Sequence, residues 1–169
     1  ERLARDFLQA IYGVAPDPAR AIFWTPERLL DADVCGKILD MGYGTTLIDQ
    51  DTHLFNWYGR TESLIDGGYR LNRIAGVRAF VMHNQASAYL FENHDAGIPM
   101  ALRALFNRKA RSGTQDQVVT LFSPWEVFTD RARADAYDVN LRWLVNRPWT
   151  QVAALERIAA GEWDTWGGP

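Results

Sequence analysis

The sequence predicts an α/β domain in which a mostly parallel β-sheet is covered by helices. Short apolar runs of strand length alternate with longer segments of helical periodicity, an order that is typical of parallel sheets. The 169 residues suffice for one domain, and 47% hydrophobic with 23% charged residues is the composition of a globular protein. Only four or five strands are predicted, which fits either a small open sheet or part of a barrel.

Glycine and proline residues separate the predicted elements in the first half of the chain. Residues 2–12 carry apolar side chains at helical spacing and predict a first helix. A second helix is predicted to start at the turn Thr25-Pro26-Glu27 and to stop at Gly42. The apolar runs 21–24 and 45–49 predict strands, and the segment from His53 to about Tyr69 is expected to be an ordered loop.

The second half of the chain predicts three more strands and four more helices. Two strands flank Gly76, and the third, at 117–122, precedes a loop with polar and aromatic residues. The helices are predicted at 86–93, 98–110, 134–147 and 151–160. We expect a single α/β domain over residues 1–160 and a loose tail over 161–169. Because Glu1 lies within a helical pattern, we also expect the chain to be part of a longer protein.

Composition and charge exclude several classes of function. The net charge of -3, without long runs of like charge, argues against binding nucleic acid through a basic face. No apolar run approaches the ~20 residues that span a bilayer, and we expect a cytoplasmic protein that does not bind membranes. Cys35 is the only cysteine, which excludes an internal disulfide and a zinc site built on several thiolates.

Polar side chains collect where the predicted strands end, which is where parallel α/β folds place their reactive groups. They are Trp24, Glu27 and Arg28; Asp49, Asp51 and His53; His83 and Asn84; and Ser123, Trp125, Glu126 and Asp130. Paired carboxylates framed by aromatic rings are typical of glycosyl transfer. The chain also has seven Trp, a residue that can stack on sugar rings. The same residues also have structural interpretations, because each tryptophan can pack in the core and each carboxylate can cap a helix or loop.

The segment "WTPERLL" (24–30) resembles the Trp-x-x-Glu-Arg segment of glycoside hydrolase family 57. That family contains retaining amylases, glucanotransferases and branching enzymes that act on α-glucans. The resemblance makes Glu27 the catalytic nucleophile, with Trp24 lining the site and Arg28 steadying the carboxylate. The segment "GYGTTLIDQDTHLF" (42–55) is similar to the next part of the family and gives Asp51 and His53 as substrate-binding candidates.

A third segment, "VVTLFSPWEVFTD" (118–130), looks like the family's region that ends in Asp-Gly-Glu-x-Phe-Gly. Glu126 and Phe128 match the Glu-x-Phe part. The family's general acid is the aspartate two residues before this glutamate, and here that position is Pro124, preceded by Ser123. The resemblance therefore leaves Glu126 or Asp130 as the acid, or a domain that hydrolyses nothing. The chain also lacks the family's His-Gln-Pro strand.

The resemblance implies an incomplete (β/α)7 barrel and a double-displacement mechanism. Glu27 would attack the anomeric carbon, and Glu126, or Asp130 in its place, would protonate the departing oxygen. Trp24, Trp57 and Trp125 would stack on sugar faces, and neither a metal nor an organic cofactor is required. The implied partners are an oligo- or polysaccharide and other parts of the same parent chain.

Two other functions fit parts of the sequence. A metal-dependent polysaccharide deacetylase has a related barrel but needs an aspartate and two closely spaced histidines, whereas His53, His83 and His94 lie far apart. A sugar-binding or scaffold domain without catalytic activity is favoured by the missing acid at Pro124.

Overall fold

The computed structural model of the chain describes residues 2–25, 28–61, 68–91, 103, 118–148 and 150–161. Three predicted features lie outside the described residues: the nucleophile Glu27, most of the helix at 98–110, and the tail from residue 162. The side chain of Trp57 lies outside them as well. No helix in these ranges is long and apolar enough to cross a bilayer.

The described part of the chain contains three strands and six α-helices. The strands are β1 (Thr45–Asp49), β2 (Asn72–Ile74) and β3 (Val77–Met82). The helices are α1 (Arg2–Tyr12), α2 (Ala32–Asp40), α3 (Asn56–Tyr58), α4 (Asn84–Phe91), α5 (Arg131–Val145) and α6 (Leu155–Ala159). A π-helical segment (Gln50–Phe55) joins β1 to α3, and a 3-10 helix (Trp125–Thr129) precedes α5.

The three strands form one mixed sheet in the order β1-β3-β2. β1 and β3 are parallel, with Thr45 opposite Arg78 and Asp49 opposite Met82. β2 and β3 form an antiparallel hairpin around Ala75 and Gly76, both of which have the positive φ that a tight two-residue hairpin turn requires. The predicted strands on either side of Gly76 are thereby confirmed.

Two single pairings extend the parallel part of the sheet. Phe23 pairs with Thr46, and Met82 pairs with Thr120, both in the parallel sense. The predicted strands 21–24 and 117–122 thus contribute one paired residue each within the described residues. Four parallel segments lie side by side in the order of the sequence, and their carboxyl ends share one edge. The described part is α/β with a small mixed sheet, and the incomplete barrel stays a prediction.

Two predicted elements differ in the structure. α2 begins at Ala32, where the Asp31 side chain accepts the N–H of Val34 at 2.7 Å, and not at the turn Thr25-Pro26-Glu27. The reason is Arg28, whose φ of 55° takes the backbone out of the helical region. The predicted loop from His53 is also wrong over its first residues, because 50–58 are helical and begin at a cap supplied by Asp49.

The hydrophobic clusters lie on one face of the sheet and between α4 and α5, while Phe80 and Met82 are buried on the other face of β3. Cys35 and Ile38 of α2 pack against Val77, while Ile48, Ala79 and Val81 form a second cluster. A third cluster, Ala86, Leu90 and Leu144, joins α4 to α5. Burial on both faces of β1 and β3 is typical of strands in a helix-covered parallel sheet.

Cys35 offers a test of this packing. Its side chain is fully buried, and burial, with a smaller contribution from Asp31, raises the pKa of the Cys35 thiol above its ordinary value of 9.0. We expect a thiol reagent at pH 8 to label the folded protein far more slowly than the protein in urea. As the pH rises, the Cys35 thiol of the unfolded protein loses its proton before the buried thiol of the folded protein does. Burial of the neutral thiol therefore contributes to stability below pH 9.0, and this contribution is lost as the pH rises through the raised pKa of the folded protein. Equal labelling rates would contradict the packing.

Candidate functional site

A buried carboxylate, Asp49, lies at the carboxyl end of β1 and connects two strand ends. Its side chain is 0% exposed, and Oδ2 lies 2.8 Å from Arg28 Nη1. Asn84, which follows β3, places its Nδ2 3.0 Å from each carboxylate oxygen. The backbone N–H of Thr52 donates to Oδ1 at 2.8 Å. One cation and two neutral donors therefore compensate the buried charge, as a buried ion pair requires.

His53 joins the same two segments through its ring nitrogens. Nδ1 accepts the backbone N–H of Asp49 at 2.8 Å, and Nε2 bonds the backbone carbonyl of Arg28. A neutral imidazole with its proton on Nε2 satisfies both contacts. His53 therefore ties the end of β1 to the loop that follows Phe23. We call Arg28, Asp49, His53 and Asn84 the Asp49 cluster.

Arg28 is held at three points in a backbone conformation that residues other than glycine rarely adopt. Its guanidinium pairs with Asp49, its carbonyl bonds His53, and its N–H donates to the carbonyl of Thr25 at 3.3 Å. The φ of 55° costs of order 1–3 kcal/mol and persists only where the surroundings impose it. The Arg28 side chain remains 43% exposed, so the cluster reaches the protein surface.

The other residues predicted after the first two strands lie outside the hydrogen bonds of this cluster. Asp51 forms a separate surface ion pair with Arg60, at 3.3 Å between Oδ1 and Nη2. Trp24 follows the Phe23 segment with its side chain 40% exposed. Of the predicted substrate-binding set, the described contacts therefore bring together Arg28 and His53 and leave Asp51 apart.

Trp125 and Glu126 lie on the 3-10 helix that follows the Thr120 segment, and both are exposed. Trp125 is 81% exposed and meets Phe128 edge-on, with ring centroids 5.9 Å apart. Phe128 in turn meets Tyr137 of α5 edge-on at 5.3 Å. The result is an aromatic row that ends in a ring open to solvent.

The two candidate acids of this segment have different surroundings. Asp130 is the N-cap of α5, and its Oδ1 accepts the N–H groups of Ala132 at 2.9 Å and Arg133 at 3.2 Å. Glu126 is exposed beside Trp125 and caps no helix end in the described part of the chain. Glu126 is therefore better placed than Asp130 to meet a ligand.

The histidines do not form the metal site that a deacetylase would need, as far as the described ranges show. His83 is buried, places Nε2 2.9 Å from the carbonyl of Gly68, and packs on the ring of Tyr69 at 4.2 Å. No three His, Cys, Asp or Glu residues among those described could hold a metal ion. His94 lies outside the described residues.

Three buried oxygen atoms without a hydrogen-bond partner mark the same edge of the sheet. They are Thr25 Oγ1, Asn84 Oδ1 and Ser123 Oγ, with the absence of a partner referring to the described part of the chain. Each follows one of the parallel segments. Buried polar atoms are nearly always paired in proteins, so a concentration of exceptions at one edge is typical of a functional site.

Sequence reasoning grouped Asp49 and Asn84 with the polar strand ends but did not select either as a site residue. Asp49 was interpreted as a possible loop cap, and it does cap the π-helical segment through Thr52. Its ion pair with Arg28 joins side chains from two different strand ends, which no local pattern shows. The available signal was the rule that the carboxyl ends of parallel strands share an edge.

The described residues also form an open hollow of about 530 Å³ away from this cluster. It is lined by Pro16, Asp17, Arg20, Ala21, Ile22, Leu155 and Glu156. These residues precede the Phe23 segment or belong to α6, so the hollow lies toward the amino end of the first parallel segment. Parallel α/β proteins place their reactive groups at the other end.

Neither a protein-family model, nor a curated protein, nor a solved structure matches this chain. Any assignment of function therefore depends on the residues themselves and on the geometry of the Asp49 cluster.

Proposed function

We propose that the chain is a glycoside hydrolase or glucanotransferase-like domain that acts on α-glucans by a retaining mechanism with Glu27 as nucleophile. The observation that carries this proposal is the Asp49 cluster. It fixes Arg28, the residue next to Glu27, in a strained conformation at the carboxyl edge of the parallel segments. A strained backbone held by a buried ion pair is characteristic of sites that need accurate positioning.

The order of the parallel segments supports the proposed incomplete barrel. Phe23, β1, β3 and Thr120 are neighbours in the order in which they occur in the chain. Strands of (β/α) barrels follow one another in this way, and their active sites are built from the loops at the carboxyl edge. Trp24, Arg28, Asp49, Asn84 and Ser123 all lie at that edge.

The proposed reaction proceeds in two displacements. Glu27 attacks the anomeric carbon while an acid gives its proton to the departing glycosidic oxygen. The deprotonated acid then takes a proton from water or a sugar hydroxyl, whose oxygen attacks the anomeric carbon and releases the Glu27 carboxylate. We assign the acid to Glu126, because it is exposed whereas Asp130 is occupied in capping α5. Trp24, Trp57 and Trp125 are the proposed stacking residues, and Asp51 and His53 complete the proposed substrate-binding set.

The direct test is incubation of the protein with maltooligosaccharides, followed by chromatography of the chain lengths. New chain lengths in the wild type, and none in Glu27→Gln, are the expected results. Shorter products alone would indicate hydrolysis, and longer ones together with shorter ones would indicate transfer. If the protein neither binds nor converts these sugars, the proposal is refuted.

A sugar-binding or scaffold domain without activity is the second candidate. It is favoured because neither Ser123 nor Pro124 carries a carboxylate and because Asp130 caps α5. Glu126 is then the one remaining candidate for the acid in the segment 118–130. Binding of maltooligosaccharides without any turnover would select this function.

Trp125 gives a test that applies to both candidates. Because the ring is 81% exposed, Trp125→Ala should change the free energy of unfolding by less than about 0.5 kcal/mol. The same change should weaken oligosaccharide binding by roughly 1 kcal/mol, the scale of an aromatic stacking contact. Calorimetric titration measures the binding, with Tyr12→Ala on α1 as a control for loss of an exposed ring. Unchanged affinity in Trp125→Ala would remove this residue from the site.

A further inference from the structure

We infer that Asp49 is a positioning residue of this site: it fixes the backbone and the side chain of Arg28, the residue that follows the proposed nucleophile in the sequence. The consequence for catalysis rests on the proposed function, whereas the fixing of Arg28 stands on the contacts of the described residues. Asp49 would not touch the substrate, because its side chain is fully buried.

Asp49 controls Arg28 through two separate groups. Its carboxylate pairs with the guanidinium at 2.8 Å. Its backbone N–H donates to His53 Nδ1, which orients the ring so that Nε2 meets the Arg28 carbonyl. The carboxylate is itself held by Asn84 and by the N–H of Thr52, so it cannot rotate without breaking these hydrogen bonds.

These contacts and the pairing of Phe23 hold the chain at two described points, one before and one after residues 26 and 27. On one side, Phe23 pairs with Thr46 of β1; on the other, Arg28 is held by Asp49 and His53. A residue at φ 55° returns to negative φ when its restraints are lost, and that rotation would swing the neighbouring peptide unit. A displacement of about 1 Å can cost roughly 100-fold in rate, so Asp49 is expected to act on catalysis without contacting substrate.

The first experiment measures kcat and KM of the whole chain with maltoheptaose. In Asp49→Asn, kcat should fall at least about tenfold while KM changes less than about twofold, because a misplaced nucleophile weakens the transition state more than substrate binding. His53→Ala should lower kcat by a similar factor and, because His53 also belongs to the proposed substrate-binding set, should raise KM as well. His53→Gln should recover part of kcat, since its amide can still donate to the Arg28 carbonyl. Asp138→Asn, which breaks the exposed pair with Arg142 on α5, is the control and should behave as wild type. Wild-type kcat in both Asp49→Asn and His53→Ala would overturn the inference.

The second experiment needs no substrate. Leu29 is 67% exposed, so the Arg28–Leu29 bond lies at the surface, but the anchored Arg28 side chain and carbonyl should keep trypsin from cutting it. We expect cleavage of this bond, identified by mass spectrometry of the folded protein, to rise at least about tenfold in Asp49→Asn and His53→Ala and to stay unchanged in Asp138→Asn. Circular dichroism confirms folding, and His53→Ala decides the matter if Asp49→Asn does not fold.

The two experiments separate failure of the inference from failure of the proposed function. A wild type that leaves all maltooligosaccharides unchanged, together with selective cleavage at Arg28 in the variants, would refute the α-glucan reaction and support Asp49 as the residue that positions the loop. Cleavage that is the same in all variants would overturn the inference even if the wild type is active.

Discussion

Replacing Arg28 with alanine is expected to lower the free energy of unfolding by about 3 kcal/mol, because it leaves the fully buried Asp49 carboxylate without a cation. The remaining donors, Asn84 Nδ2 and the Thr52 N–H, are neutral and offset the lost charge only in part. Arg28 is 43% exposed whereas Asp49 is fully buried. Removing the arginine should therefore cost more stability than removing an ordinary half-exposed side chain, because the buried carboxylate is left without a cation. Urea titration followed by circular dichroism measures the change.

Two further variants separate the ion pair from the backbone strain at Arg28. Glycine tolerates a φ of 55°, whereas alanine does not, so Arg28→Gly should be about 1 kcal/mol more stable than Arg28→Ala. Asp51→Asn, in the exposed pair with Arg60, should change stability by less than about 1 kcal/mol. If Arg28→Ala is no more destabilising than Asp51→Asn, the buried pair does not stabilise the fold.

Under the proposed mechanism, replacing Glu27 with glutamine is expected to reduce turnover of maltooligosaccharides roughly 10⁴- to 10⁶-fold, the loss seen when enzymes that form covalent intermediates lose their nucleophile. Glutamine keeps the size of the side chain but cannot form the glycosyl ester. Substrate affinity should be nearly unchanged, because the lost interaction belongs to the transition state. Chromatographic assay of wild type and variant with the same sugar measures the effect.

Glu126→Gln distinguishes an acid from a nucleophile. An aryl α-glucoside with a good leaving group needs little proton donation in the first displacement, so this variant should retain its kcat/KM for that substrate while its kcat/KM for maltooligosaccharides falls roughly 10²- to 10⁴-fold. Glu27→Gln should be inactive on both substrates. Glu156→Gln on α6 is the control for loss of an exposed carboxylate. Equal losses on both substrates in Glu126→Gln would assign the acid to another residue.

Local patterns sufficed for the elements whose side chains repeat with a clear period. α1, β1, the hairpin around Gly76 and α5 were all predictable, because apolar spacing or a turn residue defines them. The first residues of two helical segments were not predictable in this way. α2 begins at Ala32 and the π-helical segment at Gln50, each directly after an aspartate, Asp31 or Asp49, whose side chain caps the first turn.

The candidate site could be predicted only as far as its edge of the sheet. Arg28 and His53 were identified by their place after strands and by resemblance, and they do lie in one cluster. The burial of Asp49 and its contacts with Arg28 and Asn84 depend on how β1 and β3 pair. Such long-range contacts arise from the assembled sheet, so no window of sequence contains them.

The single pairings of Phe23 and Thr120 also predict that heating abolishes the proposed activity before it unfolds the whole domain. β3 has neighbours on both sides and a buried interior, whereas each outer segment is joined to the sheet by one paired residue. Segments with few backbone hydrogen bonds open by local fluctuation well before the whole domain unfolds. The proposed nucleophile and acid follow these two outer segments. On mild heating, enzymatic activity should therefore decline while the circular dichroism signal of the central strands and helices persists.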